Sequence, residues 1–414
     1  MSKNNLCQKI KFEQICKNIS VRIEDPKLAD TDYYIGLEHL DPEEPKILRH
    51  GSPQDVSKTK LRFKSGHILF GKRNWYLRRL AIAERSGICS AHMLVLEPME
   101  GKIIKEFLSL LMFSDEFYEK ALMVSAGSMS PTIKWKDLAK LEFTIPSIST
   151  QETILSIINP IQESISKTQN LLQKIENYYV SKREFLLTRG IEHKKFKKVK
   201  EEYGKKTEIP ESWKIQKLKD NSIIKGRIGW QGLTTKEYEK EGEFYLVTGT
   251  DFKNGRIMWE TCVYVNKDRF DQDQKIQLKL NDVLITKDGT IGKIAIIDKL
   301  TLPATLITGV FVIRPIENNY VPEFLFYVFE SHHFLKFLDV LKAGSTISHL
   351  FQKDFENFSF YVPSKPEQQK IVSILSNLRE QSKKLENHLL KLKMLQKSVI
   401  NSMLTPLEKN NVVN

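Results

Sequence analysis

Cysteine is scarce in this chain of 414 residues: Cys7, Cys16, Cys89 and Cys262 are the full set. None forms a Cys-x-x-Cys pair and none stands beside a histidine at zinc-ligand spacing, which argues against a zinc finger and against a disulfide scaffold. Cysteines scattered through a long chain suit a reducing cytosol, so the expected location is cytoplasmic. No apolar run reaches the roughly 18 residues that span a bilayer, and the first residues are polar rather than a signal sequence.

Catalytic signatures are missing as well. The stretch GHILFGKR at 66–73 comes near a phosphate-binding loop, but Arg73 takes the place of the magnesium-holding hydroxyl, and a strand-like stretch follows instead of a helix. No Gly-rich loop follows a strand in a dinucleotide-binding context. Asn159-Pro160-Ile161-Gln162 lies within helical heptads and lacks the aromatic residue of an amino-methyltransferase motif. The nine histidines do not cluster as metal ligands, and Glu24-Asp25 is an isolated acidic pair. The chain is expected to hold no metal and no cofactor, and to bind or scaffold rather than to catalyse.

What it has in excess is positive charge. Sixty-four Lys and Arg against 51 Asp and Glu give a formal net charge of +13, which suits an anionic partner such as nucleic acid. It also contains a repeat. AGSMSPTIKWKDLAKLEFTIP at 126–146 returns as AGSTISHLFQKDFENFSFYVP at 343–363, and TILSIINPIQES at 153–164 as KIVSILSNLREQ at 370–381, all at an offset of 217. LVLEP at 94–98 pairs with FVIRP at 311–315. ILFGKRNWYLRRLAIAE from 68 pairs with VLITKDGTIGKIAIID from 283, with a shift of two or three residues. A unit this long is a duplicated module, not a solenoid repeat.

Each half ends in a long heptad helix. In the central one Ile158, Ile165, Leu172, Tyr179 and Leu186 recur every seven residues; in the C-terminal one Ile371, Leu378, Leu385, Leu392 and Val399 do the same. Apolar rows of this length predict that the two helices pair as a coiled coil. Pro160 interrupts the pattern and marks a kink or the first turn of the true helix. The remainder reads as α/β. DVLITKDGTIGKIAIID predicts a hairpin, FLSLLMFSDEFYEKAL and FLFYVFESHHFLKFL predict one amphipathic helix each, and HKKFKKVK predicts a solvated linker.

These stretches resemble the specificity subunit of Type I restriction–modification systems. IPESWKIQKL is similar to the start of a target recognition domain, GHILFGKRNWYLRRLAIAE and NDVLITKDGTIGKIAII to its central hairpin, and AGSTISHL to its Gly-Ser-Thr segment. YVPSKPEQQKIVSIL and TIPSISTQETILSII are similar to the Pro–Gln–Ile lead-in of the family's helices. The first half departs at Met129, which stands for Thr, and at Thr150-Gln151, where Glu-Gln is usual.

The resemblance implies two α/β target recognition domains, 1–150 and 209–363, with an internal pseudo-two-fold repeat. Two helices, 151–190 and 364–404, would pair antiparallel; a basic linker fills 191–208 and a tail 405–414. It implies that each domain reads one half of a bipartite, asymmetric double-stranded DNA target. It further implies two methyltransferase subunits using S-adenosylmethionine, and restriction subunits using ATP and Mg, as partners. Two other readings stand beside it: a single-chain restriction–methylation enzyme fragment, which requires methyltransferase motifs that do not appear, and a non-catalytic coiled-coil scaffold without DNA specificity, which leaves the duplicated globular units and the charge unexplained. Phosphate contacts are expected from Lys72, Arg73, Arg78 and Arg79 in the first half and from Lys287 and Lys293 in the second. KGRIGWQGLTTK offers Arg227, Trp230, Gln231 and Lys236 for base readout, with Ser345, Thr346 and His349 as further candidates.

Overall fold

The computed structural model describes residues 7–200, 206–343 and 349–404. The chain forms two units, residues 1–170 with 386–414, and residues 171–385. The first opens with nine strands: β1 (Cys7–Lys11), β2 (Cys16–Ile19), β3 (Arg22–Ile23), β4 (Tyr34–Ile35), β5 (Lys60–Phe63), β6 (Ile68–Gly71), β7 (Leu80–Ile82), β8 (Gly87–Ser90) and β9 (Met93–Pro98). Helices α1 (Lys105–Phe113), α2 (Asp115–Met123) and α3 (Trp135–Leu138) follow, then β10 (Glu142–Pro146) and the long helix α4 (Ile148–Arg189).

In this unit β1 pairs with β10, one sheet runs β2-β9-β6-β7, and a second runs β3-β5-β8-β4. The first sheet is buried on both faces. Ile68, Phe70, Leu94 and Leu96 pack into a core with α1, α2 and the start of α4, while Leu69, Met93 and Val95 pack into a second core with the other sheet. Successive strand residues point to opposite faces, so a doubly buried strand reads as an unbroken apolar run.

The second unit begins with β11 (Phe196–Lys200), β12 (Lys206–Pro210), β13 (Lys214–Lys217), α5 (Leu218–Asn221) and β14 (Ser222–Gly226). Next come β15 (Phe244–Val247), β16 (Phe252–Lys253), β17 (Arg256–Ile257), β18 (Val263–Val265), α6 (Lys267–Asp271), β19 (Val283–Thr286), β20 (Ile294–Ile296), β21 (Ala304–Leu306) and β22 (Val310–Pro315). It closes with α7 (Pro322–Glu330), α8 (His332–Ala343), α9 (Gln352–Phe355), β23 (Ser359–Val362) and α10 (Lys365–Leu404). The sheet β14-β22-β19-β20 repeats β2-β9-β6-β7 strand for strand, and β13 pairs with β23 as β1 does with β10. Val283, Ile285, Phe311 and Ile313 again face the helical core, and Leu284, Val310 and Val312 the other.

Each unit takes the start of one long helix and the end of the other. In the first, Ile154, Leu155 and Ile158 share a core with Ile400, and Gln396 Nε2 donates to Gln162 Oε1 at 2.5 Å. In the second, Arg379 lies over the Tyr179 ring, and the Ile191 N–H donates to Glu367 at 3.0 Å. Moving up α4 there means moving down α10, so the pairing is antiparallel. Of the heptad residues, Ile158, Ile165, Leu186 and Ile371 are buried and Leu172, Tyr179, Leu378, Leu385, Leu392 and Val399 partly so. Gly190, at φ +67°, ends α4; a Cβ there would come within 2.5 Å of the Glu367 carboxylate.

Three expectations need correction. Of the two expectations for Pro160, the first turn falls away: it lies inside α4 and leaves the Ser156 carbonyl without its helical donor. The two amphipathic stretches are each broken into two helices by a buried serine. Ser114 Oγ accepts from the Phe117 N–H and donates to the Leu111 carbonyl; Ser331 does the same with Phe334 and Val328. A side chain that satisfies both helix ends turns the chain where periodicity alone reads continuity. The basic stretch at 193–200 is not a linker in coil. Phe196–Lys200 pairs with Lys206–Pro210 as a two-stranded ribbon, with Lys197 and Val199 on its partly buried side.

Candidate nucleic-acid interface

In the first unit the candidate site is built where β6 ends. The Lys72 N–H donates to the His92 carbonyl (3.1 Å) and the Lys72 carbonyl accepts from the Ile133 N–H (3.0 Å). Lys72 is thus held between the β8–β9 turn and the Ala-Gly-Ser segment. Arg73 is exposed, bridges Thr132 through its backbone and reaches Ser130 Oγ at 3.4 Å. Cations gather here from separate strands. Burial, then Arg73, Lys72 and Lys60, holds the His92 imidazole below the ordinary histidine range. Burial and Lys58 lower the Lys60 ammonium, and burial chiefly lowers that of Lys72, with Arg22 adding to it. An imidazole facing three cations marks a positive pole that a phosphate would relieve.

The second unit holds Lys287 the same way. Its N–H donates to the Gly309 carbonyl (2.9 Å) and its carbonyl accepts from the Leu350 N–H (2.7 Å). Lys287 Nζ lies 4.8 Å from the Phe311 ring centroid, and burial lowers its ammonium. His349 pairs with Asp288 across the adjoining bridge. Lys293 is exposed and reaches the Gly249 carbonyl at 3.4 Å; Lys236 is exposed on the turn at 235–237.

Several expected contacts are withdrawn from the surface, Arg227 and Arg78 by bonds within the fold, Gln231 and Arg79 by burial that leaves the Gln231 Oε1 and the Arg79 Nε without a hydrogen-bond partner among the described residues. Arg227 is 1% exposed; its guanidinium donates to the Leu306 carbonyl at 2.8 Å, to Gln272 at 3.0 Å and to Thr305 at 3.2 Å, so it braces the second sheet and cannot read a base. Gln231 is buried too. Arg78 donates to Asp115 (2.9 Å) and to the Phe113 carbonyl (3.2 Å) and lies over Tyr118, which ties it to the α1–α2 corner. Arg79 is partly buried with its Nε withdrawn from solvent. Ser345, Thr346 and the side chain of Trp230 lie outside the described residues. Sequence reasoning missed His92, which joins Lys72 only through the pairing of β6 with β9; Lys60 on β5 is buried nearby, its ammonium donating to the Ser57 and Lys58 carbonyls.

Comparison with known proteins bears on this arrangement. The profile of the "Type I restriction modification DNA specificity domain" matches residues 51–177 and again 210–393. The MjaVIII specificity subunit of Methanocaldococcus jannaschii, a Type I restriction enzyme component, is 27% identical over 335 residues, 78% of this chain and 74% of that one. The MjaIX specificity subunit of the same organism is 23% identical over 313 residues, 73% and 68%. Among solved structures, a chain from work on assembly and conformational transition of the type I R-M system superposes with a TM-score of 0.57 at 18% identity, covering 98% of this chain and 99% of that one. The Type-I restriction-modification S subunit from M. genitalium gives 0.54 at 14% identity, covering 98% and 97%. These two likenesses show the fold. With one match in each half of a duplicated chain, this protein belongs to the Type I restriction–modification DNA specificity family.

Proposed function

We propose that each unit reads one half of a bipartite, asymmetric double-stranded DNA target, that the paired helices set the spacing between the halves, and that the chain scaffolds methyltransferase and restriction subunits. In this reading the chain supplies the address. S-adenosylmethionine, ATP and Mg serve the subunits it carries. The observation that carries the proposal is the duplication itself: one lysine, Lys72 or Lys287, pinned by the same two backbone bonds in each unit. Phosphate contacts by such fixed cations position a protein on the duplex, and the loops around them specify the bases. A stripe on α4 supports the scaffold role, since Leu171, Tyr178 and Phe185 stand seven residues apart and are 51%, 54% and 53% exposed. An apolar row left in water suits a partner helix.

The test is a module exchange. Residues 209–363 are replaced by the corresponding segment of another family member, and the methylated sequence is read in a host that supplies the methyltransferase subunit. One half of the recognised sequence should change and the other should stay. A change in both halves would show that reading is shared across the repeat.

A further inference from the structure

The repeat contains its own control. In the second unit the space between α7, the β16–β17 ribbon and the adjoining stretches of α4 and α10 is filled. Phe326 and Tyr327 are 1% and 3% exposed. The Arg379 guanidinium lies over Phe326 (4.9 Å to the centroid) and Tyr179 (5.5 Å). Arg379 and Tyr179 both donate to Glu330, with Arg183 at 3.8 Å. A Cβ on Gly255 would come 2.5 Å from Phe326, so no room is left.

The equivalent place in the first unit is an open cavity of about 480 Å³. The backbone sets the equivalence: the Ile82 N–H donates to the Pro45 carbonyl as the Ile296 N–H donates to the Gly255 carbonyl, both at 3.1 Å. At the offset of 217, Phe326 becomes Ser109, Tyr327 becomes Leu110, Tyr179 becomes Gln396, Arg379 becomes Gln162, Arg183 becomes Ile400 and Glu330 becomes Phe113. All six first-unit residues line the cavity. Every one of those rings and guanidinium groups has given way to a smaller side chain, and only the last exchange adds bulk.

A second observation indicates the occupant. Glu44 also lines this cavity and is 7% exposed. Its carboxylate accepts from Gln169 Nε2 (3.2 Å) and the Lys46 N–H (3.3 Å), and among the described residues it has no ion-pair partner. The lining cations Arg78 and Lys397 are committed to Asp115 and Lys105 to Glu106, while Lys46 and Lys393 are exposed. A carboxylate withdrawn from water is stable when a cation answers it. The second unit answers Glu330 with arginine, whereas the first has a buried acid and an empty space where that arginine would lie.

We infer that this cavity binds a small organic cation of the guanidinium class, its planar head against Glu44 and its apolar body along Leu110, Phe113 and Ile400. The volume falls in the range of small-molecule sites, about 300–1,000 Å³. The probe is phenylguanidine, titrated calorimetrically into the full chain, with phenylurea as the uncharged isostere. Phenylguanidine should bind saturably at one site, with phenylurea at least tenfold weaker. Glu44→Gln should weaken phenylguanidine at least tenfold. Gln162→Arg, which installs the second unit's guanidinium at its equivalent position, should abolish binding and raise the thermal midpoint. Equal affinity for phenylurea, unchanged affinity in Glu44→Gln, or no saturable binding to the unaltered chain overturns the assignment. The isostere comparison needs no variant, so it decides the matter even where a substitution impairs folding.

Discussion

Gln151 and Gln368 stand 217 residues apart and are both fully buried. Each accepts from the backbone N–H that precedes a helix, Ile104 at 2.9 Å and Val321 at 2.8 Å. Each donates to a proline carbonyl at the end of a strand, Pro146 and Pro363, both at 2.9 Å. The far ends of the long helices match as well. Asn401 accepts from the Asp115 N–H at 3.3 Å, and Glu184 from the His332 N–H at 3.1 Å, with both partners again 217 apart. Beyond the first sheet the two units part company. One has four strands, β3-β5-β8-β4, and the other three, β18-β15-β21, with the parallel pairing β4–β8 and β15–β21 in common. Ser222 lies opposite Pro315 as Cys16 lies opposite Pro98, so Arg227, buried in the second unit, falls where the first has Val21, 52% exposed. The side of the module that meets the long helices is held to one pattern because both helices must be gripped alike. The side away from them is free to differ, as it must if two units are to read two different sequences.

The comparison can be broken most severely at the glutamines. Gln151→Ala and Gln368→Ala each leave a buried amide N–H without an acceptor, at a cost of about 2–3 kcal/mol. Urea unfolding should show the two losses equal within about 1 kcal/mol. A loss in one variant alone would mean that the two junctions do not carry equal load.

The pinned lysines sharpen it at the level of binding. Lys72→Ala and Lys287→Ala should each lower the slope of log affinity against log salt by about 1, with little change in sequence preference. Filter binding across a salt series measures this, and an unchanged slope for either variant would remove that lysine from the phosphate contacts.

The smallest difference concerns acid. The Lys64 N–H donates to His67 Nδ1 at 3.2 Å in the first unit; at the equivalent turn the Lys279 N–H donates to Asp282 at 2.8 Å. Burial holds the His67 imidazole below the ordinary histidine range despite Glu97 at 3.7 Å. The unfolded chain therefore binds a proton near pH 6.5 that the folded chain refuses, so stability is complete above that pH and falls as pH drops toward the folded value. His67→Asp should remove that part of the fall between about pH 7 and 5.5, as read from thermal midpoints. An identical pH profile in the variant would assign the dependence elsewhere.

The duplication, the heptad rows and the paired hairpins were legible in the amino-acid sequence, because each is a matter of spacing along the chain. Ile158, Ile165 and Leu186 had to face a partner wherever the helix lay, and ILFG and VLIT had to be buried strands. The lysines at 72 and 287 were also found there, as loop cations after a strand. Tertiary structure alone decided the rest. Charge type and loop position do not tell whether a guanidinium meets water or, like Arg227, a buried carbonyl. Ser114 and Ser331 turn a helix only because both helix ends lie close enough to share one hydroxyl. Phe196–Lys200 becomes a strand only because Lys206–Pro210 returns beside it. Lys72 and His92 meet because β6 and β9 are paired, and the cavity beside Glu44 exists because side chains from three separate helices converge on one place without the rings and guanidinium groups that fill the second unit's equivalent. Periodicity is local and survives in a linear text, whereas which distant groups satisfy or crowd one another is settled only when the chain closes on itself.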